Sequence, residues 1–158
     1  MTSKLLVLLF FCSLTLIAQK LPPSEFGRYE GYYVFDVKQG DPFENFGQFE
    51  LHVMSLKDSS LRLHGKVIFY TDFDTTQNDI NLSCPTTFRK FFITKDFLFF
   101  ETQKCFGETF EFKGHFLGVP SDFEGKEDDP ILEGTMVFRK NQKIIRHEKV
   151  KFLWSVGC

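Results

Sequence analysis

The chain has 158 residues and a formal net charge of −2, so no basic field marks it as a partner of nucleic acid or of anionic lipid. That length suits one domain. Twenty-two residues are phenylalanine, a large store of apolar area in a side chain that favours strands.

The chain opens with a short positive start at Lys4, followed by an almost unbroken apolar run, Leu5–Ile17. The run is shorter than the roughly 20 residues a spanning helix needs. It fits the apolar core of a signal peptide, with Ala18 just before the polar Gln19. Cleavage is expected after Ala18, although Leu16, three positions before that bond, is not the small residue usually preferred there. Residues 1–18 are then a removed leader and residues 19–158 a single β-barrel domain, exported to a periplasm or to the extracellular space. The Ala-Gln junction resembles leaders of some Gram-negative bacteria. Cys12 follows Phe10-Phe11 rather than small residues, which argues against lipidation. No later segment is long and apolar enough to span a bilayer.

Past the leader the hydrophobic period is two. Tyr29, Gly31, Tyr33, Phe35 and Val37 share one face, against Glu30, Tyr32, Val34 and Asp36. Phe49, Leu51 and Val53 alternate with Gln48, Glu50, His52 and Met54. Leu61, Leu63, Gly65, Val67 and Phe69 alternate with Arg62, His64 and Lys66. Thr86–Ile93 and Phe97–Gln103 are apolar on both faces. Phe110, Phe112, Gly114 and Phe116 alternate with Glu111, Lys113 and His115; Leu132, Gly134, Met136 and Phe138 alternate with Glu133, Thr135 and Arg139. Lys143–Trp154 is apolar at its ends and charged between. Turn chemistry separates these runs at Gln39–Pro42, Lys57–Ser59, Thr75–Asn78, Thr94–Asp96 and Phe106-Gly107. The longest break is the acidic stretch Gly118–Pro130. No helix of ten residues is expected, and at most one helical turn within Asp41–Phe46. The pattern predicts an all-β fold, an antiparallel meander of eight or nine strands closing into a barrel and so removing its edges.

Two hairpins carry register information. A three-residue turn at Lys57–Ser59 pairs Phe49 with Val67, Val53 with Leu63 and Glu50 with Lys66, matching faces and opposing charges. It also sets His52 opposite His64. In the second hairpin, a two-residue Thr94-Lys95 turn sets Cys84 opposite Cys105, and a three-residue turn leaves them within one residue of facing. An exported chain meets oxidising conditions, so a Cys84–Cys105 disulfide is expected, with Cys158 left over.

The segments around Gly31, Gly65 and Gly134 share a Gly-x-x-x-Phe echo, with a fainter copy at Gly114. A glycine inside a strand marks a bend or a close approach; on an in-facing position it also leaves room for an internal cavity. Phe26-Gly27-Arg28-Tyr29 ahead of a long strand resembles the Gly-x-Trp opening of lipocalins and the wider calycins, with Tyr29 where Trp is usual. The Gly-centred strands are similar to avidin-type barrels as well. Thr71-Asp72-Phe73 is similar to the lipocalin Thr-Asp-Tyr motif but falls early in the chain. The resemblance implies a lipocalin-like, calycin-type barrel holding a ligand, and a C-terminal Cys158 tied back to the barrel in place of the free thiol.

Few constellations suggest chemistry. His52 and His64 across one strand pair offer two ligands of a metal site that needs a third. Asp72, Asp74, Asn78 and Asp79 are oxygen donors of the kind that hold Ca²⁺, without EF-hand spacing. The acidic group Asp122, Glu124, Glu127, Asp128 and Asp129 reads as a solvated loop, or as a cover over a barrel mouth. Asn81-Leu82-Ser83 is a sequon. No Gly-x-Ser-x-Gly, His-Glu-x-x-His or phosphate-cradling loop occurs, so an enzyme is not expected, nor is any cofactor. The expected function is a non-enzymatic binding protein holding a small apolar ligand among Tyr33, Phe35, Phe49, Leu51, Val67, Phe69, Phe112, Phe116, Met136 and Phe138. The alternative is a filled barrel that meets a protein partner through its surface, as an interaction or inhibitor protein, with Tyr32, Val34, Met54, Ile68 and Tyr70 as a contact patch.

Overall fold

The computed structural model describes residues 20–36, 43, 46–68, 87–105, 107–123 and 129–156. Eight strands follow one another: β1 (Gly31–Phe35), β2 (Gln48–Ser55), β3 (Leu61–Ile68), β4 (Phe88–Ile93), β5 (Phe97–Thr102), β6 (Glu108–Phe116), β7 (Leu132–Lys140) and β8 (Lys143–Ser155). They form one antiparallel sheet in the order β3-β2-β1-β8-β7-β6-β5-β4. Strands adjacent in sequence are adjacent in space, and β8 returns to β1 through Tyr33↔Trp154 and Phe35↔Phe152. Among the described residues, the two ends of the sheet meet at one antiparallel bridge, Lys66↔Thr87. The result is an up-and-down meander, nearly closed into a barrel, with a seam between β3 and β4.

The first hairpin has the register expected from its faces: Phe49↔Val67, Glu50↔Lys66, His52↔His64 and Val53↔Leu63. Its turn is closed by Leu56 N–H donating to the Ser60 carbonyl (2.8 Å) and by Asp58 accepting from the Ser60 amide (3.0 Å) and hydroxyl (2.6 Å). Ser59 takes the positive φ that the turn demands (64°).

The second hairpin departs from expectation. β4 and β5 pair as Phe91↔Phe100, Phe92↔Phe99 and Ile93↔Leu98, so Thr94–Phe97 forms a four-residue connection. Thr94 N–H donates to the Phe97 carbonyl (2.9 Å), and the Thr94 hydroxyl accepts from the Asp96 amide (3.3 Å). Asp96 in turn accepts from the Phe116 amide at the end of β6 (3.1 Å), which holds the turn wide. A bulge between Phe88 and Lys90 then brings Phe88 opposite Thr102, the register of the expected three-residue turn.

The first strand begins later than its periodicity suggests. Pro22-Pro23 starts a short 3₁₀ turn, Pro23–Arg28, with proline where a missing N–H costs nothing. Tyr29 ends that turn and is fully buried. Its hydroxyl donates to the Lys95 carbonyl (3.0 Å), and its own carbonyl accepts from the Tyr33 hydroxyl (2.7 Å). Arg28 ties the turn to Glu25 (2.6 Å) and to Asp122 of a second 3₁₀ turn, Pro120–Asp122. Tyr29, Phe26 and Phe116 thus stop one end of the barrel. At the other end Phe43 and Phe46, from the β1–β2 connection, are buried against Phe35 and Phe110.

Candidate functional site

Of the ten residues expected to line a ligand pocket, Tyr33, Phe35, Phe49, Leu51, Val67, Phe112, Phe116 and Met136 are buried in one cluster, with Phe138 half-buried against it. Phe69 lies outside the described residues. The structure therefore brings the set together, but ring against ring. Tyr33 stacks on Phe49 at 4.6 Å between centroids, Phe35 on Phe152 at 4.8 Å and Phe110 on Phe138 at 4.9 Å. Phe49 meets both Phe100 and Phe152 at 5.0 Å, and Phe112 meets Phe152 at 5.3 Å and Phe100 at 5.5 Å. Burial pushes the Tyr33 phenol well above its ordinary pKa, as expected of a hydroxyl shut away from water.

The in-facing glycines serve this filling. A side chain at Gly65 would run into the ring of Phe88. Gly114 and Gly134 face each other across β6 and β7 with the tip of Phe112 over both. Gly31, at φ 144°, lies under the indole of Trp154, whose N–H donates to the Glu30 carbonyl (3.2 Å). The volume left by the missing side chains is occupied by these three rings. Phe88, Phe100 and Phe152 were not among the expected in-facing residues. The first two lie in segments apolar on both faces, and Phe152 lies at the end of a strand whose middle is charged.

The outer wall carries the charged groups. Glu50 is only 1% exposed although it belongs to the polar face of β2; Lys66 and His52 (2.9 Å) cover it. His52 and His64 do face each other, but among the described residues no three His, Cys, Asp or Glu side chains converge as a metal site would require. A second patch crosses β4–β7. Glu101 is flanked by Arg89 and Lys90 (2.9 Å), and Arg139 pairs with Glu111 (3.0 Å). Burial pushes the Glu101 carboxyl up, but Lys90 and Arg89 together outweigh it and hold its pKa below the usual value. This wall frames a hollow of about 440 Å³. Of the acidic loop, Asp122 is held below its ordinary pKa by the Ser121 hydroxyl and by Arg28.

A third feature lies at the seam. Leu61–Leu63 of β3, Phe91–Ile93 of β4 and the segment Lys20–Phe26 enclose a hollow of about 400 Å³. Its walls are Leu21, Phe26, Leu61, Leu63 and Phe92 among others, and the charged groups lining it are Lys20 and Arg62. Residues 1–18, read from the sequence as a leader, and Tyr70, the Asp72–Asp79 cluster, the sequon, Cys84 and Cys158 all lie outside the described residues.

The fold is that of a small all-β meander barrel with an aromatic interior, an architecture compatible with the lipocalin-like resemblance. Compared with known protein families, curated proteins and solved structures, the chain matches none.

Proposed function

We propose that this is an exported, non-enzymatic barrel whose interior is filled and which recognises a protein partner through its outer surface. The observation that carries this reading is the contact among the expected lining residues: Tyr33, Phe49, Phe112 and Phe116 each meet an aromatic neighbour. An eight-stranded barrel is narrow enough for side chains alone to fill it. Plugs at both ends, Tyr29 with Phe116 and Phe43 with Phe46, support the same reading. Export is supported by the Lys4–Ala18 pattern.

Native mass spectrometry of the protein purified without denaturation tests the proposal. The expected result is the mass of the mature chain alone. A stoichiometric apolar compound, displaced when Phe112 becomes Arg, would overturn the proposal and move the function to an interior ligand site.

A further inference from the structure

The sheet ends at β3 and β4, and among the described residues only Lys66↔Thr87 joins them. Before that bridge, Leu61–Gly65 has β2 on one side and, among the described residues, no strand on the other. An unpaired strand edge is a template for another strand, and natural proteins cover or charge such edges. Here the end of β4 is covered in part, since Leu21 N–H donates to the Ile93 carbonyl (3.1 Å). The edge of β3 looks onto the hollow, whose wall includes the 3₁₀ turn Pro23–Arg28 lying beside it, and Leu61 on the rim is 45% exposed.

We propose that this seam is a docking edge: an extended peptide of a protein partner adds alongside β3, with alternate apolar side chains in the hollow and a carboxylate at Arg62 and Lys20. The inference rests on the surface-recognition reading and names its site. Main-chain pairing with alternate side chains in pockets is a recurring mode of peptide recognition. The charge argument selects the occupant. Arg62 and Lys20 are exposed, and among the described residues no acidic side chain lines the hollow and no ion pair includes either cation. A second copy is the poorer fit. Strand β3 (LRLHGKVI) carries no acidic residue, so antiparallel pairing of two β3 edges centred on Leu61–Gly65 sets Arg62 opposite His64 and offers it no carboxylate.

The test is fluorescence anisotropy on the full mature chain. The probe is a fluorescein-labelled peptide of alternating valine and threonine led by two aspartates. The structure predicts saturable binding that weakens about tenfold or more, a loss of ~1.4 kcal/mol, when alternate backbone nitrogens of the peptide are methylated. The double variant Lys20→Glu/Arg62→Glu should weaken the aspartate peptide to a similar degree and bind a lysine-led peptide better than the unaltered protein does. Both positions are exposed, and circular dichroism checks that the variant folds. Any of three results overturns the proposal. The first is no saturable binding at millimolar peptide. The second is indifference to both methylation and charge exchange. The third is a concentration-dependent dimer in sedimentation that Leu61→Asp abolishes, which would assign the edge to a second copy. Failure here with a bare-chain native mass leaves the filled-barrel reading standing; an interior ligand in the mass spectrum overturns that reading independently.

Discussion

The filled-barrel proposal has a measurable consequence at Gly65. A methyl group there would overlap the Phe88 ring and would stand 3.0 Å from its Cζ. The ring cannot simply swing aside, because it stacks on Phe100 at 4.3 Å and also meets Phe91 at 5.7 Å and Phe49 at 6.2 Å. Overpacking of this kind costs about 1–3 kcal/mol. In a chain of this length that lowers Tm by roughly 2–4 °C per kcal/mol. Gly65→Ala is therefore expected to melt a few to about ten degrees early. Phe88→Leu should be destabilising alone through lost packing. Combined, the two should cost less than their sum by about 1 kcal/mol, because the smaller side chain removes the clash. Gly27→Ala is the control, having nothing within 4 Å of the new methyl, and should change stability little. Urea titration followed by the single tryptophan, Trp154, measures all four proteins. A Gly65→Ala variant as stable as the parent, with no coupling to Phe88→Leu, would mean that the ring has free space beside it. The filled-barrel reasoning would then be wrong.

Two further outcomes follow from the core and the outer wall. Phe112→Ala removes a fully buried ring that touches Phe100 and Phe152, and should cost about 3–5 kcal/mol in the same titration; a loss under about 1 kcal/mol would place Phe112 beside an existing cavity. Glu101 has a folded pKa below its unfolded value, so its contribution to stability is full above the unfolded pKa and is lost as pH falls through the folded pKa. Glu101→Gln should therefore lower stability at pH 7 and reduce the steepness of acid unfolding, and unchanged melting curves at both neutral and low pH would refute the Arg89–Glu101–Lys90 account.

How much of this was legible in the sequence depends on the contrast between the two faces of each strand. In β2 and β3 one face is apolar and the other carries Glu50, His52, Arg62 and Lys66, so a slip of one residue would exchange the faces. The turn and the faces agree, and the register follows. In β4 and β5 phenylalanines stand on both faces, as at Phe91 and Phe92 or Phe99 and Phe100, and the pattern tolerates a slip. What decides there is non-local: the Asp96 carbonyl held by the Phe116 amide, which the local turn chemistry does not contain. The ring-on-ring packing of the interior was hidden for a related reason. Alternation places Tyr33, Phe49, Phe112 and Met136 on the inner face, but the fit of Phe88 over Gly65, or of Phe112 over Gly114 and Gly134, joins residues on different strands or across a strand pair. Tyr29 shares the parity of β1 and so reads as its first residue. The Pro22-Pro23 start that turns it into a plug needs the ring's partners, Lys95 and Phe116, to be visible. Glu50 presents the reverse case, a carboxylate on the polar face that its neighbours Lys66 and His52 remove from water.

The disulfide pairing can be argued from reach. Cys105 stands at the head of the β5–β6 connection, paired with Glu108 by N–H to carbonyl bonds of 2.9 and 2.7 Å. That connection lies beside the β7–β8 turn, where Asn141 N–H donates to the Gly107 carbonyl (2.8 Å). Cys158 follows Ser155, which pairs with Tyr32 near the start of β1, at the opposite end of the barrel. Strand β6 alone, from Glu108 to Phe116, separates the two ends by roughly 26 Å at 3.3 Å per residue. Three residues of chain beyond Ser155 span at most about 11 Å, less than that separation. Cys84 precedes Phe88 by four residues, and Phe88 pairs with Thr102, three residues before Cys105. In sequence, both cysteines stand three or four residues from that one rung. We therefore expect Cys84–Cys105, with Cys158 free, against the C-terminal tie implied by the lipocalin resemblance. Closing that loop should stabilise the fold by about 3 kcal/mol in the chain-entropy model. Peptide mapping without reduction checks the assignment: a Cys84 peptide joined to a Cys105 peptide is the expected product. Cys158 linked to Cys105 would require β8 to end elsewhere and would refute the strand order on which the reach argument depends.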